Sequence, residues 1–252
     1  MIERKDVGPV AVLSIAHGPV NVMDTAMLRE ITETFAALAD DPAGAVVLAG
    51  AGRAFSAGVD LRSFLDQGEA YATEFLPALS EALMAVFTFD RPVVAAVNGH
   101  AIAGGAVLAF GADVRVMARG TGRIGTPELV VGVPFPRAPL DMVVYTVGEQ
   151  VARRLVFGAQ TLLPEQALEL GVVDELAEPD ALVDRAVEVA TGLATSVPAD
   201  TFAHTKAQLR RATVERIARY RVDEDPRALD IWKTRTEDGW MAGYLEQATR
   251  KS

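Results

Sequence analysis

Two short glycine-containing segments in the first half of the chain are the residues best suited to chemistry. They are Phe55–Leu61 (FSAGVDL) and Asn98–Gly105 (NGHAIAGG). Each follows an apolar run and leads into a segment that can be helical. Small residues at such junctions expose backbone N–H groups, and a helix N-terminus adds the positive end of its dipole. Two such turns brought together would form an oxyanion-binding pocket, which predicts chemistry on a carbonyl compound.

The elements around these turns follow an alternating pattern. Apolar runs predict strands at Val10–Ile15, Ala45–Ala49, Val93–Val97, Val114–Met117 and Val172–Leu176. Helical spacing of apolar residues predicts helices from Met27 to Leu38, Leu76 to Phe87, Ala106 to Gly111 and Pro164 to Leu170. Strands that alternate with helices predict an α/β fold of repeated β-β-α-like units.

Strand patterns end after Pro179. The compositions of Ala181–Leu193, Asp200–Arg221 and Arg227–Thr249 predict helices. We therefore place a boundary near residue 195, between an α/β core (residues 1–195) and a helical tail (residues 196–252). The tail is expected to pack on the core or on another subunit. Its aromatic residues Trp232, Trp240 and Tyr244 recur at helical spacing and predict a packed helix face.

Composition excludes several classes of function. The chain has 252 residues, a formal net charge of −10, half of its residues hydrophobic and no cysteine. The negative charge argues against general nucleic-acid binding, and the absence of cysteine excludes disulfides and thiolate metal sites. Three scattered histidines indicate no metal cluster. With a charged beginning and no run of about 18 apolar residues, we expect a soluble, cytoplasmic protein without membrane association.

Five segments, in this order, resemble the crotonase, or enoyl-CoA hydratase/isomerase, superfamily. They are Gly18–Met23, Phe55–Leu61, Pro92–Gly105, Gly125–Leu129 and Ala167–Val173. The resemblance implies a spiral of β-β-α units, a C-terminal helical trimerisation segment that also covers the pocket, and a homotrimer or a dimer of trimers. It also implies an acyl-CoA thioester as substrate, so that coenzyme A enters as part of the substrate and no separate cofactor is expected.

The resemblance also assigns roles to single residues. The oxyanion-hole amides fall on Ala57 and Gly104, and the catalytic carboxylate falls on Glu128. Hydratases of the family carry a second glutamate where this chain has Val107. One carboxylate is typical of the Δ3,Δ2-enoyl-CoA isomerase branch, which moves a double bond into conjugation by shuttling a proton. The alternatives are a hydratase or another reaction of the family, and an acyl-CoA-binding protein without turnover.

Further residues are predicted to contact the acyl-CoA. They are Ser56, Gly58, Asp60, Leu61, Arg62, Gly105 and Phe135. Asp60 has the alternative of capping the following helix, and Arg62 that of an exposed surface cation. An efficient base at Glu128 needs a raised pKa, which an apolar surround can supply. The residues available for that surround in the sequence are Leu129, Val130, Val131 and Phe135.

Overall fold

Two β-sheets organise the computed structural model, which describes residues 1–250. The larger sheet has the order β1-β2-β3-β5-β7-β10 and is parallel except for the β1–β2 pair. Its strands are β1 (Ile2–Val7), β2 (Val10–Ile15), β3 (Ala45–Gly50), β5 (Val93–Val97), β7 (Val114–Ala118) and β10 (Glu175–Ala177). The smaller sheet has the order β4-β6-β8-β9, with strands β4 (Ala54–Ser56), β6 (His100–Ile102), β8 (Ile124–Gly125) and β9 (Thr161–Leu162).

Helices separate these strands. They are α1 (Thr25–Ala37), α2 (Leu61–Phe87), α3 (Gly104–Gly111), α4 (Glu128–Val131), α5 (Arg137–Phe157), α6 (Pro164–Glu169), α7 (Leu182–Ser196), α8 (Ala199–Glu237) and α9 (Trp240–Arg250). The units β3-β4-α2, β5-β6-α3 and β7-β8-α4 each add one strand to the larger sheet and the next strand to the smaller one. The predicted α/β spiral of β-β-α units is thus confirmed. Each unit ends with a helix that follows its strand in the smaller sheet.

Side chains that alternate along the central strands of the larger sheet form two hydrophobic clusters, one on each face. Val10, Val12 and Val47 belong to a cluster covered by α7, whereas Ala11 and Leu13 face the larger cluster that includes α1, α2 and α3. Successive side chains of a strand point to opposite faces, so both faces of this sheet are buried. The larger sheet is therefore a rigid support for the turns at its strand ends.

Some boundaries differ from the predicted ones. Helix α2 begins at Leu61, well before Leu76, where the Asp60 side chain accepts a hydrogen bond from the Arg62 amide, and non-helical backbone at Gly68 (φ +62°) kinks it. The last strand of the larger sheet begins at Glu175, and not at Val172. The amides of Val172 and Val173 instead donate to the Ala167 carbonyl at the end of α6.

Buried ion pairs join the helical tail to the core. Lys206 and Arg210 of α8 both contact the Asp113 carboxylate, at 2.7 and 2.9 Å, and Lys206 also donates to the Arg91 carbonyl. Burial lowers the pKa of Lys206 to about 8. The tail thus packs on the core of its own chain. Residues 251–252, the last of the predicted tail segment, lie outside the described residues, and the predicted trimer stays a prediction.

None of the described helices combines the length and the apolar character that a membrane span requires.

Candidate active site

The two glycine turns predicted from the sequence lie against each other, because their glycines lack side chains. A Cβ atom on Gly58 would lie 2.5 Å from the Ile102 carbonyl oxygen, and one on Gly105 would lie 2.4 Å from that of Ser56. Gly58 also has a φ of +87°, in the region that favours glycine. Both turns therefore reach one cavity with their backbones in close contact.

The structure corrects one of the two predicted amides. The Ala57 N–H already donates to the Val20 carbonyl at 2.9 Å, so it is not free to bind a ligand. The Val59 amide, two residues later, has no acceptor among the described residues, and Val59 lines the cavity. Gly104 is the first residue of α3, where a backbone N–H has no partner within the helix. The free pair of amides is therefore that of Val59 and Gly104.

Residues 20–23 hold the first turn in this position. The Met23 amide donates to the Gly58 carbonyl at 2.8 Å, and the Asp60 amide donates to the Met23 carbonyl at 2.9 Å. These two bonds flank Val59 and leave its own N–H unused. The Ser56 hydroxyl, predicted to contact substrate, donates instead to the Asn21 carbonyl at 2.7 Å and is fully buried. Ser56 therefore supports the turn and lies outside the cavity wall.

The second turn is connected to the segment that carries the carboxylate. Ala103 has a φ of +52°, uncommon for a residue with a side chain, and its amide donates to the Gly125 carbonyl at 2.8 Å. Gly125 ends β8, and Glu128 follows three residues later as the first residue of α4. A strained residue thus sets the direction of the Gly104 amide and bonds the turn to the strand that leads to Glu128.

Glu128 lies in the wall of the same cavity and is only 8% exposed. Burial raises the pKa of its carboxyl group from 4.5 to about 8. Its Oε2 atom is buried and has no hydrogen-bond partner among the described residues. A carboxyl group with such a pKa is neutral or charged near physiological pH, which suits a general base.

The cavity has a volume of about 110 Å³ and is mostly apolar. Among the described residues that line it, Glu128 is the one carboxylate. Val107, fully buried in α3, occupies another part of the wall. Because a valine side chain forms no hydrogen bonds, it offers no second acid, base or water ligand at that position.

The apolar surround of Glu128 differs in part from the prediction. Val131 and Phe135 line the cavity, but Leu129 and Val130 are 40% and 48% exposed, because they lie on the outer side of the short helix α4. The helical tail contributes to the wall instead. Its cavity-lining members are Trp232 of α8 and Tyr244 of α9. Burial, and then the nearby Glu128 carboxylate, raises the pKa of Tyr244.

The remaining predicted contact residues divide between the cavity and its support. Leu61 lines the cavity. The Asp60 carboxylate accepts from the Arg62 amide and the Ser63 hydroxyl, so it caps α2. The side chain of Arg62 is exposed and follows Leu61 directly in the sequence. The part of the chain that the structure describes holds no cluster of acidic or histidine side chains suited to a metal ion.

Comparisons with known proteins identify the relatives of the chain. Residues 7–249 match the family model described as "Enoyl-CoA hydratase/isomerase". The chain is 30% identical over 224 residues to "Enoyl-CoA delta isomerase 1, mitochondrial" of Mus musculus, covering 88% of this chain and 77% of that protein. It is 29% identical over 194 residues to "Short-chain-enoyl-CoA hydratase" of Clostridium acetobutylicum, covering 76% and 74%.

A solved structure resembles the whole chain. The human mitochondrial Δ3-Δ2-enoyl-CoA isomerase superimposes with a TM-score of 0.89 at 25% identity, covering 100% of this chain and 99% of that one. Relatives named as isomerases and relatives named as hydratases thus both match the chain, so similarity alone does not distinguish the two reactions.

Proposed function

The chain belongs to the enoyl-CoA hydratase/isomerase family, and we propose that within this family it is a Δ3,Δ2-enoyl-CoA isomerase. The observation that carries the proposal is the composition of the cavity: Glu128 is the one carboxylate among its described lining residues, and Val107 occupies the α3 position three residues after Gly104. A proton shuttle needs one base, whereas hydration needs a second group to orient water.

The backbone amides would stabilise the charge that develops on the substrate. When a proton leaves C2 of a 3-enoyl thioester, the electron pair delocalises onto the thioester oxygen and forms a dienolate. The free N–H groups of Val59 and Gly104 are the donors available to that oxygen, and α3 adds the positive end of its dipole. Loss of one such donor typically lowers the rate by about 10²–10³-fold.

Glu128 would move the proton. Its carboxylate takes the proton from C2 and becomes a neutral acid. The same carboxyl group then returns a proton to C4 of the dienolate, while the C2–C3 bond becomes double and the thioester carbonyl reforms. The proton balance closes on one residue, so neither a cofactor nor a second base is required. The buried position of Glu128 supports this role, because desolvation makes its carboxylate a stronger base.

The size of the cavity bears on the substrate. Its volume of about 110 Å³ is below the roughly 150 Å³ of an apolar protein cavity that holds benzene. It is therefore suited to the few acyl carbons next to the thioester. The coenzyme A portion would lie outside, and its phosphates could be bound by Arg62, which is exposed and next in sequence to the cavity-lining Leu61. A homotrimer or dimer of trimers and a cytoplasmic location complete the proposal.

An assay of the purified protein with trans-3-hexenoyl-CoA tests this function. We expect the absorbance of the conjugated 2-enoyl thioester to rise, and we expect little loss of that absorbance when trans-2-hexenoyl-CoA is supplied instead. Rapid hydration of the 2-enoyl thioester would favour the hydratase alternative. Tight binding of hexanoyl-CoA with neither reaction would favour the acyl-CoA-binding alternative.

The pH dependence of the reaction follows from the pKa of Glu128. A general base must be deprotonated, and burial raises the pKa of this carboxyl group to about 8. We therefore expect kcat/KM to rise about tenfold per pH unit below that pKa and to level off above it. A profile measured from pH 5.5 to 9.5 checks this expectation. A plateau that already begins at pH 5.5 would contradict a raised pKa of the catalytic base.

A further inference from the structure

Three side chains of the helical tail bond to the chain segment that follows Glu128. The indole N–H of Trp240 donates to the Val130 carbonyl at 3.2 Å. The Nε–H of Arg235 donates to the Gly132 carbonyl at 3.2 Å. The indole N–H of Trp232 donates to the Pro134 carbonyl at 2.9 Å. Residues 130, 132 and 134 are alternate positions, so the three donors follow one stretch of backbone.

The contact is close as well as hydrogen-bonded. Gly132 has a φ of +90°, and a Cβ atom placed on it would lie 2.5 Å from Cδ1 of Trp240 and 3.0 Å from Cδ of Arg235. The tail side chains therefore pack directly on the backbone of Gly132. A glycine is required there by the conformation and by the tail together.

The same segment is bonded to Glu128 itself. The Val133 amide donates to the Glu128 carbonyl at 3.2 Å, and the Gly132 amide donates to the Leu129 carbonyl at 3.2 Å. Helix α4 has only four residues, so few hydrogen bonds within it can fix its position. Carbonyl groups at the end of a helix need partners from elsewhere, and here Trp240 and Arg235 provide them.

We propose that Trp232, Arg235 and Trp240 are positioning residues that hold Glu128 at the cavity, so that these three side chains of the helical tail act on the reaction through the backbone that follows Glu128. The proposal rests on the proposed role of Glu128 as the base. Orientation is sensitive to such support, since a displacement of about 1 Å can lower a rate by about 10²-fold.

Trp240 and Arg235 permit the clearest test. Trp240 is 59% exposed, so the burial of its ring adds little to the core. Trp232 is 2% exposed and packs on Phe64 with ring centroids 4.8 Å apart, so its replacement would also disturb the core. Trp240→Phe keeps an aromatic ring and removes the N–H. Arg235→Met keeps a long side chain and removes the donor.

We expect the double variant W240F/R235M to show a kcat for trans-3-hexenoyl-CoA about 10²-fold below that of the wild type, with little change in KM. Each single variant should show a smaller loss. The apparent pKa of the pH–rate profile should fall below that of the wild type, because a looser segment admits water to Glu128. A role of the tail in folding alone would not move that profile.

Charged side chains near this segment form ion pairs. Arg235 pairs with Asp238 within the tail, and Arg137 and Asp141 of α5 pair with each other. Tyr244 of α9 is the other titratable group that lines the cavity. Asp238 follows the last residue of α8 and also accepts a hydrogen bond from the Trp240 amide. Asn keeps that acceptor oxygen and removes the charge that R235M leaves without its ion-pair partner, so the variant R235M/D238N should reproduce the shifted profile.

Lys233→Met is the matched control. Lys233 lies in the same helix, and its Nζ contacts Glu69 of α2 at 2.5 Å, away from α4. We expect wild-type kcat and an unshifted profile in K233M. The proposal would be overturned if W240F/R235M kept the wild-type kcat, or if K233M lost as much kcat as W240F/R235M does. In either case an inactive E128Q would leave the proposed function standing. Full activity in E128Q would overturn the proposed function and this inference together.

Discussion

Replacing Glu128 by Gln is expected to lower kcat for trans-3-hexenoyl-CoA by about 10²–10⁴-fold, the usual contribution of a positioned general base. The amide has nearly the same shape as the carboxyl group but cannot accept the C2 proton. The cavity, the Val59 and Gly104 amides and the tail contacts should persist, so hexanoyl-CoA should bind E128Q about as tightly as it binds the wild type. Stopped assays and calorimetric titration measure the two quantities.

The same variant should change how stability depends on pH. In the native state burial raises the pKa of Glu128 from 4.5 to about 8. Between these values the native state binds more protons than the unfolded state, so the contribution of Glu128 to the free energy of unfolding is lost as pH rises. E128Q lacks this titration. Its stability relative to the wild type should therefore increase between about pH 4.5 and pH 8, as measured by urea unfolding.

Glu81→Gln is the control for both measurements. Glu81 of α2 has an exposed carboxylate, whereas Glu128 is buried. We expect its replacement to leave kcat and the pH dependence of stability unchanged. Turnover by E128Q at the wild-type rate would contradict the assignment of the base. Loss of both turnover and hexanoyl-CoA binding would instead indicate that the side chain shapes the cavity.

The sequence predicts where the two turns of this site lie better than it predicts which of their amides are free. Glycines after apolar strands are a local signal, and they correctly identify the two turns. Which amide is free is a non-local property. The Val20 carbonyl takes the Ala57 N–H, while bonds from Met23 and Asp60 pass on either side of Val59. Val20 and Met23 belong to a segment more than thirty positions earlier, so the sequence around Ala57 could not reveal these contacts.

The walls of the cavity, too, can be predicted only in part from the sequence. Apolar residues beside Glu128 predict a buried surround, but the one-turn helix α4 directs Leu129 and Val130 outward and only Val131 toward the cavity, which Phe135 also lines. The spacing of Trp232, Trp240 and Tyr244 predicts a packed helix face. That prediction is wrong in part, because α8 ends at Glu237 and places Trp232 on a different helix from Trp240 and Tyr244, and Trp240 is 59% exposed. The tail packs against α2, α4 and α5, and this arrangement depends on tertiary contacts such as the Asp113 ion pairs.

Gly105→Ala is expected to separate the two turns and to lower kcat/KM by about 10²–10³-fold, the effect of losing one oxyanion donor. The new methyl group would lie 2.4 Å from the Ser56 carbonyl oxygen and 2.8 Å from its Cβ. Because the first contact is with backbone, no side-chain rotation relieves it, and one turn must move. We also expect the free energy of unfolding to fall by about 1–3 kcal/mol, as in overpacked cores.

Two other glycines make this result specific to the contact between the turns. Gly192 lies in α7 with open space around a Cβ atom, so G192A should keep full activity and gain up to about 1 kcal/mol from helix propensity. A Cβ on Gly104 would be tight against the flexible Met23 side chain, at 3.1 Å, and in ordinary contact with the Val59 and Leu79 side chains, at 3.6 and 3.7 Å. We therefore expect G104A to lose less activity than G105A. If G105A and G192A were equally active, the close approach of Ser56 and Gly105 would not be what brings the Val59 and Gly104 amides to one oxygen.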